Sequence, residues 1–234
     1  MNQKIKLYCL PHAGGSATLY IRWKKQLASS IELCPLELAG RGKRFMEPFY
    51  NSFDDAVNDV YHLIKPGLDK HAYAIWGHSM GCLMAFELMR RIKQEGLNGP
   101  VHAFFSGRNP PHIKKDEKSL HTLPDEEFKK EVYKLGGIAD EILENKELSD
   151  LFIPILKADY RILEGYTHEG ENTEFDCDIS VLNGKEDMDV SPEEIRQWQM
   201  YTKKTCSFYE FGGGHFYIND YDDEVIDIIN SKLG

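Results

Sequence analysis

No stretch of this 234-residue chain stays apolar for long. Its hydrophobic runs are strand-length, so none spans a bilayer. Cysteine is sparse and odd in number, at Cys9, Cys34, Cys82, Cys177 and Cys206, with no CxxC pair. That spacing argues against a disulfide framework or a zinc site and for reduced thiols in a cytoplasmic protein. Basic residues are too few to balance the acids: 28 Lys and Arg against 38 Asp and Glu leave a formal charge of -10. An acidic surface repels phosphate backbones and anionic headgroups, which argues against nucleic acid and membranes as partners. The opening residues, MNQKIKLYCLPHAGG, lack the apolar segment and small-residue cleavage site of a secretion signal. There is no internal repeat, no low-complexity tract, and no G-x-G-x-x-G or G-x-x-x-x-G-K-[ST] loop to cradle a nucleotide. What is present, 41% hydrophobic residues with 12% aromatics, suits one large α/β domain with a full core and room for an insertion.

Short β-rich runs at 5–10, 31–38, 72–76, 101–105, 179–182 and 206–211 alternate with helix-like segments at 19–27, 53–64, 80–94, 191–201 and 223–233. This alternation predicts a mostly parallel sheet with helices on both faces. From 110 to about 170 the rhythm breaks. Helix-like pieces at 125–135, 139–145 and 147–165 follow one another without a strand, the first started by Pro124. Sixty residues are more than one crossover needs, so the insertion is expected to cap the carboxyl edge of the sheet, where such sheets hold their sites.

The third run enters Gly77-His78-Ser79-Met80-Gly81 and leaves as a helix. A strand-to-helix turn this tight needs glycine on either side of the serine, and it lifts the hydroxyl above the sheet as a nucleophile. The N–H of Met80, next in the chain, faces the same space and can stabilise an oxyanion. A serine needs a base, and chain order for this turn is Ser, then Asp or Glu, then His. Of nine histidines only His215 follows the last strand, in a glycine-rich loop that lets the ring fold back over the sheet. Beyond the fifth strand, Glu186, Asp187 and Asp189 all qualify as the acid, with Asp159 of the insertion a more distant rival. The loop after the first strand, Pro11-His12-Ala13-Gly14-Gly15, should supply the second oxyanion N–H, from Ala13 or alternatively His12.

Eight segments together resemble the type II thioesterases, the free-standing editing enzymes of nonribosomal peptide and polyketide synthesis. They are LPHAGGSA (10–17), LELAGRGKRFMEP (36–48), WGHSMGCLMAFEL (76–88), FSGRNPPH (105–112), LGGIADEILEN (135–145), ILKADYRILEGY (155–166), VLNGKEDMDV (181–190) and FGGGHFYI (211–218). The serine and histidine motifs are common to many α/β-hydrolases; AGRGxRxxEP and ADYR are more specific. Ala39 departs from the proline frequent at that point. The resemblance implies an α/β-hydrolase fold with a helical lid over 110–170, and a triad of Ser79, Asp187 and His215. It implies acyl, aminoacyl or short peptidyl thioesters, held on the phosphopantetheine arm of a carrier protein, as substrates. Such chemistry requires no metal or organic cofactor, and a monomer is expected. Carrier proteins are usually acidic, so a basic entrance patch is expected from Arg41, Lys43 and Arg44 with Lys114 and Lys115. The rival readings are a carboxylester hydrolase or lipase with the same triad, a chain-releasing thioesterase, and a silent binding module.

Overall fold

Six strands, β1 (Ile5–Leu10), β2 (Ile31–Pro35), β3 (Tyr73–His78), β4 (His102–Ser106), β5 (Asp178–Gly184) and β6 (Cys206–Phe211), pair in the order β2-β1-β3-β4-β5-β6. Every pairing is parallel. The computed structural model describes residues 4–113, 119–134, 136, 142, 144–169 and 173–234. All positions of β3 and β4 are buried, as strands covered on both faces must be, which is why they read as apolar runs rather than alternating ones. The chain leaves β1 toward β2 and then returns past β1 to β3. The carboxyl ends of β1 and β3 therefore flank the crevice where strand order reverses, the place where open parallel sheets bind ligands.

One face is covered by helices α1 (Phe53–Leu68) and α2 (Met80–Gln94). Ser52 caps α1 in a reciprocal box with Asp55, and Phe53, Ala56, Val57, Val60, Ile64 and Leu68 form its buried stripe. On α2, Leu83, Phe86 and Ile92 join the same core, where Phe86 meets the rings of Trp198 and Tyr201 edge-on. The other face packs on a 3-10 helix over Ala17–Lys25, which brings Tyr20 and Trp23 onto Trp76, and on the C-terminal helix through Val225, Ile226 and Ile229. The segment read as one helix over 191–201 is a single α-turn, Pro192–Ile195, continued as a 3-10 helix over Arg196–Tyr201.

Between β4 and β5 lie α3 (Asp125–Lys134) and α4 (Lys146–Glu164). Asn145 caps α4 by accepting the N–H groups of Glu147 and Leu148, and Pro154 lies inside the helix. Phe128 and Val132 of α3 pack with Ile153 and Leu156 of α4 in a small core of their own, against which Ala13 also packs. Of the helix read over 139–145, residues 139–141 and 143 lie outside the described residues, as does Gly170 at the insertion's end. Among the described residues no helix is long and apolar enough to cross a membrane.

Candidate active site

Ser79 stands alone between the last residue of β3 and the first of α2, with φ 55° and ψ -116°. It is the one non-glycine residue at positive φ among the described residues. A side chain in that region stores on the order of 1–3 kcal/mol of strain. The flanking glycines are required by contact. A Cβ at 77 would lie 2.1 Å from the Gly81 carbonyl oxygen, and one at 81 would lie 2.3 Å from that of Leu10. The Ser79 N–H donates to the Ser106 carbonyl of β4 at 2.8 Å, which anchors the turn to the sheet.

His215 reaches this serine from the loop after β6. Its Nε2 is 2.8 Å from Ser79 Oγ, and its Nδ1 is 2.8 Å from Oδ2 of Asp187. A carboxylate can only accept, so Nδ1 carries the proton and Nε2 is left to accept from the serine hydroxyl. Two backbone bonds join the loop after β5 to the loop after β6: Lys185 N–H to the Phe211 carbonyl and Glu186 N–H to that of Gly213, both 2.9 Å. The approach is so close that a Cβ at Gly184 would sit 2.3 Å from the Gly214 oxygen. This pairing carries Asp187 to the histidine.

The rival acids lie in different places. Glu186 points into solvent. Asp189 is half-buried, and its N–H donates to Oδ1 of Asp187 at 2.9 Å, so it holds the acid in place. Asp159 is buried and engaged with Arg41. Among the described residues, one group of metal-type donors gathers, Asp187, Asp189 and His215, and the first and last of these already bond each other.

Two further histidines surround the site and both stay neutral. Burial lowers His12 to about 4, although its Nδ1–H donates to the Ala13 carbonyl at 2.9 Å. Burial likewise pushes His78 well below the usual imidazole range. His78 lies 5.2 Å behind the His215 ring, and its Nδ1 bonds the Ser106 hydroxyl, which bonds the Tyr217 hydroxyl. The sequence showed His78 in the serine motif but nothing of this network, because its partners come from β4 and from the segment after His215. The Ala13 and Met80 N–H groups have no hydrogen-bond partner among the described residues.

The expected basic patch is corrected. Arg41 is 3% exposed and faces inward onto Asp159. Arg44 is spent on Glu47, Asp59 and the Glu37 carbonyl. Only Lys43 of the three is exposed. Lys114 and Lys115 lie outside the described residues. Arg41 is drawn in by a carboxylate 118 residues away, and Arg44 is held by Glu47 and Asp59, 3 and 15 residues along the chain.

A parallel sheet with a serine at the β3–α2 turn, an acid after β5 and a histidine after β6 has the architecture of the α/β-hydrolases. A family model described as "Thioesterase domain" matches residues 5–233, and the chain belongs to that family. It is 33% identical over 233 residues, 98% of its length and 88% of the relative's, to "Linear gramicidin dehydrogenase LgrE" of Brevibacillus parabrevis. Its fold is similar to that of ClbQ from the colibactin NRPS/PKS pathway, with TM-score 0.94 and 38% identity over 98% of this chain and 97% of the other. It is also similar to the type II thioesterase BorB from the borrelidin biosynthetic cluster, with TM-score 0.90 and 32% identity over 100% and 94% of the two chains.

Proposed function

We propose that this thioesterase hydrolyses acyl, aminoacyl or short peptidyl thioesters from the phosphopantetheine arm of carrier proteins in nonribosomal peptide or polyketide synthesis, and so clears misloaded arms. The observation that carries the reading is the continuous hydrogen-bonded series Asp187–His215–Ser79, 2.8 Å at each step. The likeness to ClbQ, whose description names an NRPS/PKS pathway, and to BorB, described as a type II thioesterase, supports the substrate class. The dehydrogenase in the LgrE name describes that protein; here the strained turn after β3 presents a serine hydroxyl to a histidine, an arrangement suited to acyl transfer.

In this reading Ser79 Oγ attacks the thioester carbonyl as His215 Nε2 takes its proton, and a C–O bond forms. The N–H groups of Ala13 and Met80 hold the oxyanion. The C–S bond then breaks and the pantetheine thiol leaves with the proton from His215. Water gives a proton to the same nitrogen and attacks the acyl-serine. Collapse of that adduct breaks the Ser79 ester bond and releases the carboxylic acid, and the serine recovers its proton. Asp187 keeps the ring in the Nδ1–H tautomer and stabilises the imidazolium throughout. No step needs a resident metal or organic cofactor. The insertion carrying α3 and α4 acts as the lid that admits the arm. The enzyme is read as a monomer and as cytoplasmic, and its five free cysteines support the second of these.

The test is mass measurement of carrier protein loaded with acetyl, aminoacyl or longer acyl groups, before and after exposure to the enzyme. Loss of the acyl mass with wild type, and none with Ser79→Ala, is the expected result. Faster turnover of simple oxygen esters than of carrier thioesters would favour a carboxylester hydrolase instead.

A further inference from the structure

Two motifs, AGRG and ADYR, have no part in the Ser79–His215–Asp187 series, yet the fold brings both against the turn after β1. Arg41 and Asp159, 118 residues apart, form a two-pronged ion pair, Nη1 to Oδ2 at 2.5 Å and Nη2 to Oδ1 at 2.6 Å. Their side chains are 3% and 2% exposed. Each partner also grips the turn. Oδ2 of Asp159 accepts the Gly14 N–H at 2.7 Å, and Nη1 of Arg41 donates to the Gly15 carbonyl at 3.2 Å.

Asp159 is not the only part of α4 in contact. Phe152, Leu156 and Asp159 are spaced four and three apart and so share one helix face. A Cβ on Gly14 would lie 2.8 Å from Leu156 Cδ1 and 2.9 Å from Phe152 Cζ. Gly14 also has φ 75°, so the turn needs glycine twice over. Inside the turn the Gly15 N–H donates to the His12 carbonyl and His12 Nδ1–H to that of Ala13. The first bond holds the peptide plane that carries the Ala13 N–H, which has no partner among the described residues, and the second holds the plane that follows it.

A buried ion pair is weak grounds for stability, because two apolar side chains of the same volume hold a core as well. Apolar side chains, however, could not fix an N–H and a carbonyl of one turn at once. We propose that Arg41 and Asp159 are the positioning pair of the oxyanion turn, through which seating of α4 sets the Ala13 N–H in place. The proposal rests on the reading of Ala13 as an oxyanion donor given above. Since α4 belongs to the insertion, an open lid would then misplace the donor and a closed one would complete the site.

The test uses Asp159→Leu, which removes the acceptor for Gly14, and the double variant Arg41→Met/Asp159→Leu, which removes both grips on the turn, fills the space with apolar side chains and leaves no lone buried charge. Both are assayed on a small acyl thioester and for binding of two inert analogues. One is a trifluoromethyl ketone that forms an oxyanion adduct; the other is a thioether that mimics the ground state. In protein that melts cooperatively, kcat should fall about 10²-fold, the scale of losing one oxyanion donor, with KM within about threefold of wild type. Ketone affinity should fall in parallel while thioether affinity holds. Wild-type kcat in a folded variant, equal loss of ketone and thioether binding, or failure of both variants to fold would each overturn the positioning role. Turnover by wild type and none by Ser79→Ala show that the functional reading stands, so any of those failures then belongs to the pair alone.

Discussion

Asp189 holds Asp187: its N–H donates to one carboxylate oxygen at 2.9 Å, which leaves the other for His215 at 2.8 Å. Two acids two positions apart are thus placed differently, Asp187 with a carboxylate oxygen on His215 and Asp189 with its N–H on Asp187. Asp187→Asn should lower kcat by about 10⁴-fold, because an amide facing Nδ1 favours the wrong tautomer. Asp189→Ala keeps the N–H and should stay within a few-fold of wild type. Steady-state kinetics on one thioester check both.

Ser79 stores backbone strain at its positive φ, so removing the hydroxyl and removing the strain can be separated. Ser79→Gly relieves on the order of 1–3 kcal/mol, less about 0.5–1 kcal/mol of glycine's unfolded-state entropy. Ser79→Ala keeps the strain. Both should be inactive, and the glycine variant should melt a few degrees above the alanine variant in a calorimetric scan. Equal melting temperatures would show that the turn is relaxed.

Burial of His102 lowers it to about 4, with Asp178 opposing and Lys232 reinforcing the shift. Its Nε2 bonds the Ser180 hydroxyl at 2.8 Å. Below 6.5 the unfolded chain takes up a proton that the folded chain refuses. Stability is therefore full above 6.5 and falls as the pH drops toward 4, by at most roughly 2–3 kcal/mol from this group. His102→Gln should flatten that part of the slope. Denaturant midpoints for both proteins between pH 7 and pH 4 give the comparison.

Arg44 and Lys43 are neighbours with opposite expected behaviour. Arg44→Glu sets a carboxylate against Glu47 and Asp59 and should cost roughly 2–3 kcal/mol of stability, with turnover of carrier-bound and small thioesters falling together. Lys43→Glu touches only exposed charge. It should leave stability unchanged and lower kcat/KM several-fold on the carrier substrate alone. Equal effects of Lys43→Glu on both substrates would remove Lys43 from the docking surface.

The sequence by itself determined the strand–helix alternation, the turn at Ser79 and the place of His215. Each of these rests on neighbours in the chain: apolar runs of strand length, glycines at 77 and 81 that a tight turn demands, and a flexible loop after the last strand. Chain order and spacing left Glu186, Asp187 and Asp189 open as the partner of His215, and only the resemblance to the type II thioesterases singled out Asp187. Only the pairing of the loops after β5 and β6 turns Asp187 inward. Tertiary structure alone decided that Arg41 is a buried partner of Asp159 and not a surface charge. A residue's charge is written in the chain, but the low-dielectric contact it makes is with a residue distant in sequence, 28 positions from Asp187 and 118 from Arg41, and local pattern carries no information about it.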